Sequence, residues 1–80
     1  MNTKTATIQF APNALDAVLD QIVARLDAEN FPLVEADLNA STITVDSSAD
    51  HDEIGVVMVA QDAAIDCGAG IESILGVELN

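Results

Sequence analysis

Across Pro12-Asn13 the apolar residues of this chain change their period, which restricts it to folds in which a strand feeds directly into a helix. From Thr3 to Ala11 the residues alternate. Ala6, Ile8 and Phe10 fall on one side and Thr5, Thr7 and Gln9 on the other, the pattern of a half-buried strand. Pro12 lacks the N–H that a sheet ladder needs, and Asn13 is suited to capping the helix that follows. From Ala14 to Asn30, residues Leu15, Val18, Leu19, Ile22, Val23 and Leu26 share one side of a wheel drawn at about 100° per residue. Phe31-Pro32 closes this helix, because the residue before a proline is biased away from helical geometry.

Two short strands follow, Leu33 to Leu38 and Thr42 to Asp46, joined by the turn-forming Asn39-Ala40-Ser41. Alternation places Val34, Ala36 and Leu38 inward against Glu35 and Asp37, and Ile43 and Val45 inward against Thr42, Thr44 and Asp46. The stretch Asp50 to Gly68 reads as a second helix, with Asp50 and Glu53 spaced as in a capping box and Gly68 as its stop. Its apolar residues cover more of the circumference than one core requires. Ile54, Val57, Met58 and Ile65 form the face assigned to the core, while Val56, Val59, Ala60, Ala63 and Cys67 occupy the opposite one. The competing reading is a strand over residues 55–60, since GVVMVA has high β propensity and an interior glycine weakens a helix by about 1 kcal/mol relative to alanine. Ile71 to Leu79 supplies a last strand, although Ile71, Ile74 and Leu75 also fit a helical turn.

The order βαββαβ predicts an α+β, ferredoxin-like sandwich, an antiparallel sheet with both helices on one face and a single domain over residues 1–80. In length and element order the chain resembles heavy-metal-associated domains. That family carries a CxxC loop between its first strand and helix. Here the corresponding Phe10-Ala11-Pro12-Asn13-Ala14 has no cysteine, so the resemblance implies the fold without the soft-metal site.

Charge is the other strong constraint. Fourteen Asp and Glu stand against only Lys4 and Arg25, a formal net charge of −12 in 80 residues, while a hydrophobic fraction of 50% still supports a packed core. Direct nucleic-acid binding needs the Lys and Arg that are missing, and an anionic membrane surface is disfavoured for the same reason. MNTKTATIQF has no apolar run of signal-peptide length, and no stretch approaches the roughly 20 apolar residues of a membrane span, so the expected location is the cytoplasm.

Motifs for chemistry are absent, and the expectation is a non-enzyme without cofactor or metal. His51 sits alone in DHDE, where an exposed helix-start histidine is the simpler reading than a ligand. Asp46, Ser48, Asp50 and Asp52 open like a calcium loop, but His51 then stands at its glycine position and Val57 at its glutamate position. Cys67 has Asp66 beside it and no neighbouring base, which fits a small buried hydrophobe rather than a nucleophile. Gly68-Ala69-Gly70 lacks the lysine of a phosphate loop. Asn39-Ala40-Ser41 matches a glycosylation sequon, which carries little weight without a secretory signal.

Two readings of the acidity remain. In the first, Asp16, Asp20 and Asp27, joined by Asp50, Asp52 and Glu53 or by Asp62 and Asp66, form a surface that mimics phosphates and binds a basic nucleic-acid-handling protein or complex. By size and charge the chain is similar to small acidic phage inhibitors of bacterial defence, including anti-CRISPR proteins. In the second, the acidity adapts a ferredoxin-like binding or regulatory module to high salt. The surplus face of the second helix, Val56, Val59, Ala63 and Cys67, predicts a homodimer interface.

Overall fold

The computed structural model describes residues 4–80. Thr3, the expected start of the first strand, lies outside them. The element order is β1 (Thr5–Phe10), α1 (Leu19–Ala28), β2 (Leu33–Asp37), β3 (Thr42–Asp46), α2 (Glu53–Asp66), a single 3-10 turn (Ile71–Ser73) and β4 (Ile74–Leu79). The strands form one antiparallel sheet in the order β2-β3-β1-β4. This is the ferredoxin-like βαββαβ arrangement, and residues 55–60 are helical. The accessible surface of 4554 Å² equals what a compact monomer of 8.3 kDa exposes, about 4,600 Å².

The period-two pattern of β1 survives intact. Ala6, Ile8 and Phe10 have no exposed surface and point to the helix layer; with Ile43 and Val45 of β3 beside them, Leu15, Ile22, Leu26, Phe31, Val56, Ala60 and Ala63 complete the core. Each large apolar side chain buried in this way contributes about 1.5–3 kcal/mol. Thr5, Thr7, Gln9, Thr42 and Thr44 lie on the opposite, uncovered face, where the Thr7 and Thr44 hydroxyls hydrogen-bond at 3.0 Å.

α1 begins later than its periodicity suggests. Asn13 sits at φ 68°, in the left-handed region, so it cannot act as an N-cap in extended geometry. Instead, residues 12–18 form successive turns before the helix starts at Leu19. Leu15 is nevertheless buried, because these turns still hold it against the core. At the other end Asn30, at φ 69°, terminates the helix ahead of Pro32. The Asn30 N–H donates to the Asp27 carbonyl at 3.1 Å and the Phe31 N–H to the Leu26 carbonyl at 2.9 Å, while Phe31 and Leu26 are both buried. Gly68 ends α2 by the same device, at φ 83°. Its N–H donates to the Ile65 carbonyl at 3.1 Å, and that of Ala69 to the Ala64 carbonyl at 2.9 Å.

Three expectations are corrected. In β2 a bulge between Leu33 and Glu35 resets the alternation, so Leu33 and Ala36, opposite Val45 and Ile43, face the helices. Val34 and Leu38 are exposed at 55% and 47%. The last segment enters its strand only at Ile74, after the 3-10 turn, and a second irregularity at Leu75 leaves Ile74, Val77 and Leu79 packed on the core. The third correction concerns α2, whose two faces are exchanged. Val56, Ala60, Ala63 and Ala64 are buried, with Val59 and Cys67 packed beside them, whereas Ile54, Met58 and Ile65 are 69%, 61% and 55% exposed. The physical reason is size: alanines let the helix backbone lie close on the sheet, and a face of Ile and Met would hold it away.

This exchange has a direct check. Val56→Gln should cost about 2–3 kcal/mol or unfold the domain, because it buries an amide without partners. Met58→Gln should stay within about 0.5 kcal/mol of the parent. Chemical denaturation of the two variants separates the faces, and equal losses would contradict the packing described.

Candidate functional site

The carboxylates expected to meet a partner all reach the surface, in separate groups. Asp16 is exposed in the turns before α1, so it does not continue the helical line of Asp20 and Asp27. Asp20 and Asp27 are exposed on α1 and line an open groove of about 430 Å³ between that helix and the start of β2. Leu19, Val23, Ala24, Pro32 and Leu33 supply its apolar walls.

Asp50, Asp52 and Glu53 gather at the start of α2, where the positive end of the helix dipole favours them. The capping box does not form: Asp52 holds the N-cap position without a side-chain hydrogen bond. The Asp50 backbone N–H donates to the Ser47 carbonyl at 3.1 Å, and its carboxylate lies over Gly55, where any Cβ would collide with Oδ2. His51 is occupied structurally, its Nδ1 lying 2.7 Å from the hydroxyl of the buried Ser47.

Asp62 is exposed on α2, and Asp66 closes that helix in an ion pair. Arg25 Nε donates to Asp66 Oδ2 at 3.0 Å, and its Nη1 to Glu29 Oε1 at 2.8 Å, strapping α1 to α2. The Asp66 bond, then the charges of Glu29 and Asp66, hold the guanidinium above its ordinary pKa. Among the described residues, both ion pairs belong to Arg25. Asp66 is therefore partly neutralised, a use that its sequence spacing does not reveal.

The proposed dimer residues are placed elsewhere than expected. Val56 and Ala63 are core, and Val59 and Cys67 pack against it, so no second copy can reach this face of the folded chain. Cys67 caps α2; burial, and after it the charge of Asp66, push its thiol above the usual value.

The alternation turned Glu35, Asp37 and Asp46 outward, but the expected partner-binding residues did not include the acids of the uncovered sheet face. Cross-strand register places Glu35 and Asp37 beside Thr44 and Thr42, and Glu78 beside Thr7. Asp37 is tied into its turn, its Oδ1 accepting the Asn39 and Ala40 N–H groups at 3.0 and 3.1 Å. Asp46 is held likewise. The Ser48 side chain, and then its backbone N–H at 2.8 Å from Oδ1, keep this carboxyl below the usual carboxylate range. Among the described residues no cluster of His, Cys, Asp and Glu converges as a metal site would require, and no helix is long and apolar enough to cross a membrane.

Two titrations follow from these environments. With its folded pKa depressed, Asp46 contributes stability that is complete above the ordinary carboxylate pKa and lost as pH falls through its own. Carboxyl NMR should give it a midpoint below that of an unstructured aspartate, and Asp46→Asn should abolish that part of the acid dependence. The Cys67 thiol should alkylate more slowly with iodoacetamide at pH 8 in the folded than in the urea-unfolded chain, since thiolate is the reacting form.

Comparison with protein-family models, with characterised proteins and with solved structures returned no match to this chain.

Proposed function

We propose that this chain is a non-catalytic, acidic protein-binding module whose target is a basic surface of the kind that handles nucleic acid. The observation carrying this reading is the state of its carboxylates. Fourteen acidic residues stand against two basic ones, and Arg25 spends its charge on Glu29 and Asp66. The exposed remainder, including Asp16, Asp20, Asp27, Asp50, Asp52, Glu53 and Asp62, is left to attract cations from outside the molecule. Asp20 and Asp27, seven residues apart, are separated by about 10 Å of helical rise, roughly three phosphate steps of a nucleic-acid strand. A CRISPR effector or another host-defence complex with a basic channel fits this description, and occupying such a channel would make the chain an inhibitor.

A second reading is favoured by the carboxylates of the sheet's uncovered face, Glu35, Asp37, Asp46 and Glu78, which spread charge around the molecule instead of gathering it. Adaptation to high salt distributes acids in this way. The two readings differ in what salt does. At about 0.01 M salt the Debye length is about 30 Å, comparable to the longest dimension of the molecule, 34 Å. At physiological salt it shrinks to about 8 Å.

A binding module should be folded at about 0.15 M salt by circular dichroism and should bind a basic nucleic-acid-binding complex with affinity that falls steeply as salt is raised. Combining Asp16→Asn, Asp20→Asn and Asp27→Asn should weaken that binding about tenfold or more, a loss of about 1.4 kcal/mol. Asp66→Asn should have a smaller effect. Unfolding at 0.15 M with recovery in molar salt would favour the halophilic reading, and undiminished binding by the triple variant would remove α1 from the interface.

A further inference from the structure

β2 is an edge strand, paired with β3 on one side only. Its other side presents alternate N–H and C=O groups without a strand partner. The bulge at Val34 interrupts the ladder near its start, and Glu35–Asp37 continue in register. Beside this edge opens the groove of about 430 Å³ under α1, where Leu33 remains 42% exposed. We infer that the free edge of β2 and this groove together receive an extended, basic segment of a partner protein, added to the sheet as a further strand.

The chemistry of both sheet faces selects the occupant. Alternate side chains of an added strand point to opposite faces. One set enters the groove, where lysine or arginine stems lie along Val23 and Leu33 and their heads reach Asp20 and Asp27. Same-face residues of a strand are about 7 Å apart, and these long side chains span the difference from the roughly 10 Å between the two aspartates along α1. The other set emerges beside Glu35 and Asp37 on the uncovered face. A second copy of this chain is excluded by the same charges. Pairing β2 with its own copy would set Glu35 and Asp37 against their equivalents, between molecules that each carry −12. The inference rests on the cationic partner proposed above and adds where and in what conformation that partner binds.

The test uses the full chain and an acetylated, amidated heptapeptide of alternating lysine and valine, followed by amide NMR. Binding should saturate, shift the amides of Leu33–Asp37 and of residues 19–27, and slow exchange of the outward N–H groups of β2. N-methylation of the peptide nitrogens on its pairing edge, or Asp20→Asn with Asp27→Asn in the protein, should each weaken binding about tenfold. Replacing lysine by glutamate in the peptide should abolish it. Equal binding by the N-methylated peptide overturns strand addition. Shifts that map to the start of α2 or to the uncovered sheet face, still falling steeply with salt, also overturn it while leaving the acidic-module reading intact. Self-association that protects the same β2 amides would make a second copy the occupant and overturn the choice of partner. No binding by the basic peptide at low salt overturns the docking site, and the module reading then stands or falls on the basic complex alone.

Discussion

How closely α2 approaches the sheet governs the rest of the molecule. Val56, Ala60, Ala63 and Ala64 lie fully buried beneath it, and their small volumes let the helix backbone settle onto a sheet already filled by Ile8 and Phe10. Interiors pack at crystal-like density, so a thinner layer on α2 must be matched by bulk elsewhere. That bulk comes from β1, β3, α1 and the turns before it, through Phe10, Ile8, Ile43, Val45, Leu15, Ile22 and Leu26. The same choice turns Ile54, Met58 and Ile65 to the surface. An apolar stripe on the outside of α2 is thus a consequence of alanines on its inside.

Charge is the second constraint, and it acts against the first. A chain with net charge −12 repels itself, and the domain accommodates this by keeping its carboxylates at the surface and closing its helix layer with Arg25. Several acids also have local structural duties. Asp37 and Asp46 hold turns, and the carboxylate of Asp50 covers Gly55. Asp20 and Asp27, which make no side-chain hydrogen bond or ion pair among the described residues, border an apolar groove that opens beside the unpaired edge of β2. A basic, extended ligand would satisfy the charge, the groove and the edge at once.

Much of the architecture was legible from period and punctuation. The alternation of Ala6, Ile8 and Phe10 and of Ile43 and Val45 held residue for residue, and the apolar stripe of α1 supplied Ile22 and Leu26 as expected. Gly68 ended its helix as its residue type implies. The failures in β2 and β4 share a cause. Bulges at Val34 and Leu75 shift a period-two pattern by one position, and such a shift is decided by cross-strand register that a local reading does not contain. Asn13 and Asn30 adopt left-handed geometry, open to asparagine but not dictated by it, and this moved both ends of α1.

The sequence by itself determined the inward faces of β1 and β3 and the excess of acid over base, because each depends on local period or on composition, whereas it left residues 55–60 open between helix and strand, and the structure makes them helical. Only the tertiary structure decided which side of α2 is core. Both sides are apolar, and the choice turns on the volume available between helix and sheet. It likewise decided that Asp66 belongs to Arg25 and that Asp20 and Asp27 border a groove at the β2 edge. Those relations join residues far apart in the chain, and only the path of the backbone brings them together.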